Sequence, residues 1–147
     1  MYIQIKNNKL YLCGTFPFEG YTKKVSLDYD EYINNPDKYI FNGNDFVVDP
    51  TYPERKREEE RQRVLKLKCT KRVLVKILEE LGKDYYQDIL PLIESNRDAK
   101  LQWDLCVELE RGNPLINIIG GQLDISEEQI DNIFKYANGE IETLGVS

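Results

Sequence analysis

The first hydrophobic pattern along the chain has a period of two. Residues 2–5 and 9–12 each alternate apolar with polar side chains, and the polar residues 6–8 lie between them. Alternation of this kind is typical of half-buried β-strands, and a short polar connection favours a tight turn. The sequence therefore predicts an antiparallel β-hairpin at the start of the chain.

A second hairpin is predicted about thirty residues further on. Residues 38–41 and 45–48 each have three apolar or aromatic residues after a charged one, and Asn42-Gly43-Asn44 separates the two runs. Asn-Gly supplies the positive φ that tight hairpin turns require. Between the hairpins, residues 25–33 predict a strand that runs into a short helical turn, although the pattern leaves the type of this element open.

The period changes to that of a helix after Pro53. Apolar residues from Val64 to Leu81 recur at helical spacing, Thr70 is placed to cap a second helix, and Gly82 is placed to end it. Four further helices are predicted, at residues 85–94, 98–111, 114–123 and 127–137. The C-terminal body is thus predicted to be all helical.

These elements predict an α+β fold. A small antiparallel β-hairpin head occupies residues 1–50, and a proline linker covers residues 51–53, where Pro50 and Pro53 prevent a central strand from continuing. A helical domain follows over residues 54–138, with a helix-turn-helix-like end, and residues 139–147 form a tail.

The helix-turn-helix-like end has the wrong charge for reading DNA. Residues 119–134 give two short helices, with Ser126 and Gln129 as a capping box. The positions predicted to face outward on the second helix are Glu127, Glu128, Asp131 and Asn132, which would repel phosphate rather than bind it. This segment is therefore predicted to be a structural packing unit, and nucleic acid is not the expected partner.

Composition argues against an enzyme. The 147 residues include no histidine, which removes the usual general base and the commonest transition-metal ligand. Asp28 and Asp30 form the single pair suited to carboxylate chemistry with a divalent ion, and they lie in a polar run typical of solvated surface. We expect no catalytic residues, no cofactor, no metal and no small-molecule substrate.

The same composition suggests a reducing compartment. The three cysteines, at positions 13, 69 and 106, are odd in number and far apart, so they form neither a disulfide framework nor a metal clip. No signal peptide or membrane span is recognised. We therefore expect a soluble protein of a reducing cytoplasm.

Charge is distributed unevenly along the chain. Residues 55–76 contain ten basic and three acidic residues, a net charge of +7, whereas the whole chain carries −6, which leaves −13 outside this segment. The favoured interpretation is a solvated helix whose cations pair with nearby carboxylates or with the acidic body. The alternative is an anionic partner.

Ten residues are the candidate partner-binding set. The head is dense in tyrosine and phenylalanine, for which core packing is the favoured interpretation and a binding surface the alternative. The candidates are Arg55, Arg57, Arg61, Arg63, Lys66, Lys71 and Arg72 from the basic segment, and Tyr11, Phe16 and Phe18 from the head.

Three features of the body are interpreted as packing. Trp103 lies among apolar residues at near-helical spacing, which predicts a core position. Cys106 is predicted to be a small buried hydrophobe. Gly120 and Gly121 interrupt an apolar helix, where glycine is costly, so close packing against a neighbouring helix is the expected explanation.

Three stretches of the chain resemble a known group of proteins. They are residues 39–50, residues 56–72, and residues 112–131, in which Asn-Pro-Leu-Ile is followed by a Gly-Gln-Leu helix. They resemble small proteins encoded in the tail modules of bacteriophages and prophage-like elements of low-GC Gram-positive bacteria. The resemblance falls between residues 39 and 131, with gaps, and brings no catalytic residues with it.

The resemblance implies a non-enzymatic role in a phage tail or phage-tail-like particle. The protein would be a component, an assembly factor or a fibre-associated adaptor that binds a tail or fibre protein or itself, first in the cytoplasm and then in the particle. The alternative is a phage-encoded regulator or counter-defence protein that binds nucleic acid or a host protein that handles it.

Overall fold

A computed structural model describes residues 1–7 and 9–145. The chain forms two compact units, which divide between Glu58 and Glu59. Small antiparallel sheets precede a mainly helical region, so the predicted α+β class is confirmed. Within the described residues no helix is long and apolar enough to cross a membrane.

The N-terminal unit begins with a twisted hairpin and a short third strand. Its strands are β1 (Tyr2–Lys6), β2 (Lys9–Gly14) and β3 (Lys23–Lys24), in the order β2-β1-β3. The predicted first hairpin is confirmed, except that Asn8 of its turn lies outside the described residues. A bulge breaks the register, because Gln4 pairs with Leu12 but Ile5 pairs with Leu10. The bulge leaves Tyr11 without a cross-strand partner.

The same unit contains the second predicted hairpin. Helix α1 (Tyr29–Asn34) and a 3₁₀ turn (Pro36–Lys38) precede strands β4 (Tyr39–Phe41) and β5 (Phe46–Val48), which pair antiparallel. Gly43 has a φ of +93°, as the Asn-Gly turn requires. The segment whose type the sequence left open, residues 25–33, follows β3 and contains the first five residues of α1. Its predicted helical turn is therefore observed, whereas residues 25–28 form no strand.

A small core holds the N-terminal unit together. Met1, Ile3 and Val25 are buried, and the rings of Phe41 and Phe46 pack against them with Tyr29 and Tyr32. These four rings therefore pack in the core, which is the interpretation that the sequence analysis favours for the aromatic residues of the head.

Helix α2 (Tyr52–Leu65) begins inside the predicted proline linker. The Asp49 carboxylate accepts hydrogen bonds from the backbone N–H and the hydroxyl of Thr51, at 2.9 and 2.8 Å. The carbonyl of Asp49 accepts a further bond from the backbone N–H of Tyr52. These bonds satisfy donors at the start of the helix, and Pro53 occupies its first turn, where a missing N–H costs nothing.

The C-terminal unit continues with helices and one small sheet. Its elements are β6 (Lys68–Thr70), α3 (Lys71–Glu80), a π-helical turn (Tyr85–Ile89), α4 (Leu90–Glu94), α5 (Arg97–Leu105), β7 (Glu108–Glu110), α6 (Pro114–Gln122) and α7 (Glu127–Ala137).

The prediction that this unit is all helical was wrong. Strands β6 and β7 pair antiparallel, with Cys69 opposite Leu109. The helix predicted over residues 98–111 ends at Leu105, because Cys106 is extended, with φ −90° and ψ +141°. The sequence Glu108-Leu109-Glu110 then alternates exposed, buried and exposed, which is the period of a strand.

Both predicted ends of α3 and the predicted start of α7, which depend on capping residues next to the helix, are confirmed. The Thr70 hydroxyl accepts from the N–H of Val73, and Ser126 and Gln129 form the predicted capping box. Gly82, with a φ of +84°, follows α3. The N–H groups of Gly82 and Lys83 bond back to Glu79 and Leu78, which is the Schellman arrangement.

The core of the C-terminal unit lies where α3, α6 and α7 meet. It contains aliphatic residues from all three helices and Phe134, and Trp103 of α5 is buried in the same cluster, as predicted. Cys106 is half-buried rather than fully buried, which corrects its prediction. The tail contributes Leu144 to the edge of this core, and residues 146–147 lie outside the described residues.

The two adjacent glycines of α6 differ in their surroundings. A Cβ atom on Gly120 would lie 2.2 Å from Cδ1 of the buried Ile130, so α6 and α7 approach closely there, as predicted. A Cβ atom on Gly121 would meet nothing within 4 Å, so close packing does not explain this residue.

One ion pair of this unit joins a buried arginine, Arg111, to a half-buried aspartate, Asp131. The side chain of Arg111 is almost completely buried, and its Nε donates to Oδ1 of Asp131 at 2.6 Å. Its Nη1 donates to the side-chain carbonyl of Asn117 at 2.9 Å. Asp131 therefore does not face outward, as the sequence analysis assumed, but holds α7 to the end of β7.

Gly120→Ala and Gly121→Ala are expected to have opposite effects. Gly120→Ala must displace Ile130 and should lower the free energy of unfolding by about 1 kcal/mol. Gly121→Ala meets open space and should raise it by about 0.5 kcal/mol, since alanine favours the helix. Urea unfolding followed by circular dichroism measures both, and two effects of the same sign would contradict the observed packing.

Asp131→Ala is expected to be strongly destabilising. It leaves the buried guanidinium of Arg111 without its carboxylate, which should cost on the order of 2–3 kcal/mol. Glu142→Ala removes an exposed carboxylate in the same unit and serves as the control. Equal midpoints for the two variants in a denaturant titration would show that the pair contributes little.

Candidate interaction surfaces

The outer edge of β2 is an exposed apolar part of the N-terminal unit. Within the described residues β2 pairs only with β1, so its other edge has no strand partner. Tyr11 and Leu12, which are 58% and 50% exposed, are adjacent in the chain, and the bulge allows both to be uncovered. The ammonium group of Lys6 lies 3.8 Å from the centre of the Tyr11 ring.

The loop after β2 adds further rings to the same unit. Phe16 is 78% exposed. Phe18 is only half-buried, but its ring packs against Tyr21 at 6.3 Å, and Tyr21 contacts Tyr2 at 5.3 Å. Tyr11 and Phe16 therefore present apolar surface, whereas Phe18 serves mainly to pack the loop.

The cations of α2 are mostly occupied by carboxylates. Arg55 binds Asp49 at 2.8 Å, and Lys56 binds Asp37 at 2.9 Å. Arg61 lies 3.8 Å from Glu127, a contact between exposed side chains. Among the described residues Arg57 makes no ion pair. The favoured interpretation of this helix, solvated cations paired with acids, agrees with these contacts.

Arg63 makes the strongest of these contacts. Its guanidinium binds Glu60 at 2.7 Å and Glu140 at 2.6 Å, with two hydrogen bonds to each carboxylate. The hydrogen bonds from Arg63 hold the pKa values of both glutamates below the usual range, and the two carboxylates raise the pKa of Arg63. Arg63 is thus a structural clamp between α2 and the residues after α7.

A groove beside α3 gathers a different set of cations. It has a volume of about 510 Å³ and is lined by Lys71, Arg72, Val75, Lys76, Glu79, Tyr85 and Trp103. We call it the α3 groove. Arg72 and Lys76 are one helical turn apart, are exposed, and make no ion pair within the described part of the chain.

Lys71 has a structural bond inside the α3 groove. Its ammonium group donates to the backbone carbonyl of Trp103 and lies 5.5 Å from the centre of the Trp103 ring. A cation is favourable there, because the carbonyls at the C-terminal end of α5 carry partial negative charge. The remaining two N–H donors of the ammonium are available for a further contact.

The predicted candidates do not form one site. Lys71 and Arg72 meet in the α3 groove, Arg55, Arg61 and Arg63 are held in ion pairs, and Lys66 lines a separate polar groove with Pro114. The sequence analysis missed Leu12, Lys76 and Tyr85, and it assigned Trp103 to the core alone. The helical spacing of Arg72 and Lys76 was a usable signal, whereas the approach of Tyr85 and Trp103 depends on tertiary structure.

The candidate reactive side chains Asp28 and Cys69 have structural surroundings. Asp28 caps α1, since its carboxylate accepts from the N–H groups of Asp30 and Glu31. Burial raises the pKa of the Cys69 thiol to about 11, which disfavours the nucleophilic thiolate. No cluster of three potential metal ligands is present among residues 1–7 and 9–145.

No protein-family model, no curated protein and no solved structure matches the chain. Two surfaces of the structure bear on function, the outer edge of β2 and the α3 groove.

Arg63→Gln is expected to lower the melting temperature at neutral pH, and Arg57→Gln, on the same helix, to leave it unchanged. The decrease in melting temperature should have its full size above the ordinary glutamate pKa of 4.5, where both carboxylates are charged in the folded and in the unfolded protein. It should disappear as the pH falls through the lowered pKa values of the folded protein. Thermal unfolding of both variants between pH 2 and 7 measures this, and a pH-independent difference would contradict it.

Proposed function

We propose that this protein is a non-enzymatic interaction protein whose N-terminal unit binds an extended segment of a partner along the outer edge of β2. The observation that carries the proposal is the unpaired edge of β2, with Tyr11 and Leu12 uncovered beside it. An exposed strand edge presents backbone N–H and C=O groups that a second chain can pair with.

Such pairing would combine backbone affinity with side-chain selectivity. Hydrogen bonds along the edge are independent of sequence, and the exposed side chains select what lies across them. Tyr11 offers a large, stiff ring that the Lys6 ammonium contacts on one face, and an aromatic anchor of this kind costs little entropy on binding. Phe16 extends the apolar surface in the loop after the strand.

The resemblance to tail-module proteins supports a phage tail or fibre protein as the partner. On this proposal the protein acts in the bacterial cytoplasm during assembly, as a particle component or as an assembly factor. Nucleic acid draws less support as a partner of α2, since Arg55, Arg61 and Arg63 are already matched with carboxylates.

Leu12→Lys is expected to abolish partner binding, because it places a strongly hydrated charge on the proposed interface. The tagged protein is co-expressed with the products of its flanking genes and purified at low and at moderate salt. A stoichiometric tail or fibre protein should be retained at both salts by the unsubstituted protein and lost by Leu12→Lys.

Ile33→Lys is the matched control. Ile33 is 50% exposed, as Leu12 is, but it lies in helix α1 of the same unit and not in a strand. It should keep the partner. Retention by both variants, or purification of the protein as a monomer with no flanking-gene product, would refute the proposal.

A further inference from the structure

We propose that the α3 groove is a second binding site, which takes a short acidic peptide segment carrying an aromatic or branched apolar side chain. It belongs to the C-terminal unit and goes beyond the proposed role of the β2 edge. Neither proposal requires the other.

The first argument is that Arg72 and Lys76 are placed at a cost in free energy. Arg72 lies in the first turn of α3, which contains no acidic residue, so its charge lies near the positive end of the helix dipole. Arg72 and Lys76 are like charges at i and i+4, which repel each other. Within the described residues no carboxylate pairs with either, in contrast to the cations of α2.

An anionic ligand would relieve this repulsion. Carboxylates placed over Arg72 and Lys76 would neutralise both side chains, and the carboxylate at Arg72 would lie beside the first turn of α3, where negative charge is favoured. Lys71 already has one bond to the carbonyl of Trp103, so its ammonium is held at the edge of the groove with donors to spare.

The second argument comes from the lining. Tyr85, Trp103 and Val75 give the groove an apolar and aromatic part, and Tyr85 is held edge-to-face against Tyr86 at 5.1 Å. A volume of about 510 Å³ is sufficient for one large side chain and the backbone that flanks it. Cations beside rings therefore match a ligand that has both carboxylates and an apolar anchor.

The third argument distinguishes a peptide from nucleic acid. Glu79 lines the groove together with the cations. A nucleic acid backbone needs a continuous track of cations, which this carboxylate interrupts. A short segment with two or three carboxylates can avoid Glu79.

Trp103 gives a direct test, because it is the only tryptophan in the chain. The full-length protein is titrated with a synthetic peptide of about ten residues in which glutamate alternates with leucine and phenylalanine. Trp103 fluorescence and calorimetry report binding. The glutamate peptide should shift the emission and bind at least about tenfold more tightly than the same peptide with glutamine in place of glutamate.

Charge reversal in the groove tests the location. Arg72→Glu with Lys76→Glu should weaken binding by about tenfold or more, and the neutral pair Arg72→Gln with Lys76→Gln should weaken it less. The control pair, Arg57→Glu with Lys66→Glu, changes the net charge equally at exposed residues outside the groove and should stay within about twofold.

Three results would overturn the proposal. They are no binding of the glutamate peptide, equal weakening by the groove pair and the control pair, and displacement of the peptide by a single-stranded oligonucleotide of equal charge that binds more tightly. The last result would assign the groove to nucleic acid.

Discussion

The short ladder between β6 and β7 is the constraint on which the C-terminal unit depends. It joins segments that are distant in sequence, with the buried Cys69 and Leu109 opposite each other. Backbone bonds continue beyond both ends of the ladder, from Lys71 to Val107 and from Gly112 to Leu65. Because the strands are so short, these flanking bonds and the burial of the two central side chains must stabilise the pairing.

The ladder also fixes the helices around it. Arg111 follows directly after β7, and its guanidinium reaches Asp131 of α7. At the other end of α7, the side-chain amide of Asn138 donates to the carbonyl of Lys68 in β6, at 3.0 Å. Helix α7 is therefore bonded to β6 and to the residue that follows β7. The acidic second helix of the helix-turn-helix-like pair thus stabilises the fold.

Local signals in the sequence predicted local structure well. The Asn-Gly turn, the Thr70 cap and the capping box at Ser126 each need only a few neighbouring residues, and the predicted boundaries of α7 agree with the structure. The ladder was not predictable in this way. Three-residue strands carry almost no periodic signal, and residues 106–110 were read as the continuation of α5.

The candidate surfaces were predictable only in part, for the same reason. Tyr11 and Phe16 were named from composition, but the exposure of Leu12 follows from a bulge in the register. Lys71 and Arg72 were named from charge. Trp103 lies beside them because the ladder sets the start of α3 next to the end of α5, and Tyr85 joins them from the turn that follows α3. No pattern within either segment reports that approach.

The basic segment shows why net charge alone could not identify a site. Its first half forms α2, where Arg55 and Arg63 have carboxylates within 3 Å, and its second half begins α3, where Arg72 and Lys76 have none among the described residues. Each half has five basic residues, but the three acidic residues of the segment all lie in the first half. The cations of α2 bind carboxylates and so hold parts of the chain together, whereas Arg72 and Lys76 of α3 repel each other without a compensating ion pair. A local conflict of this kind is retained where a ligand relieves it.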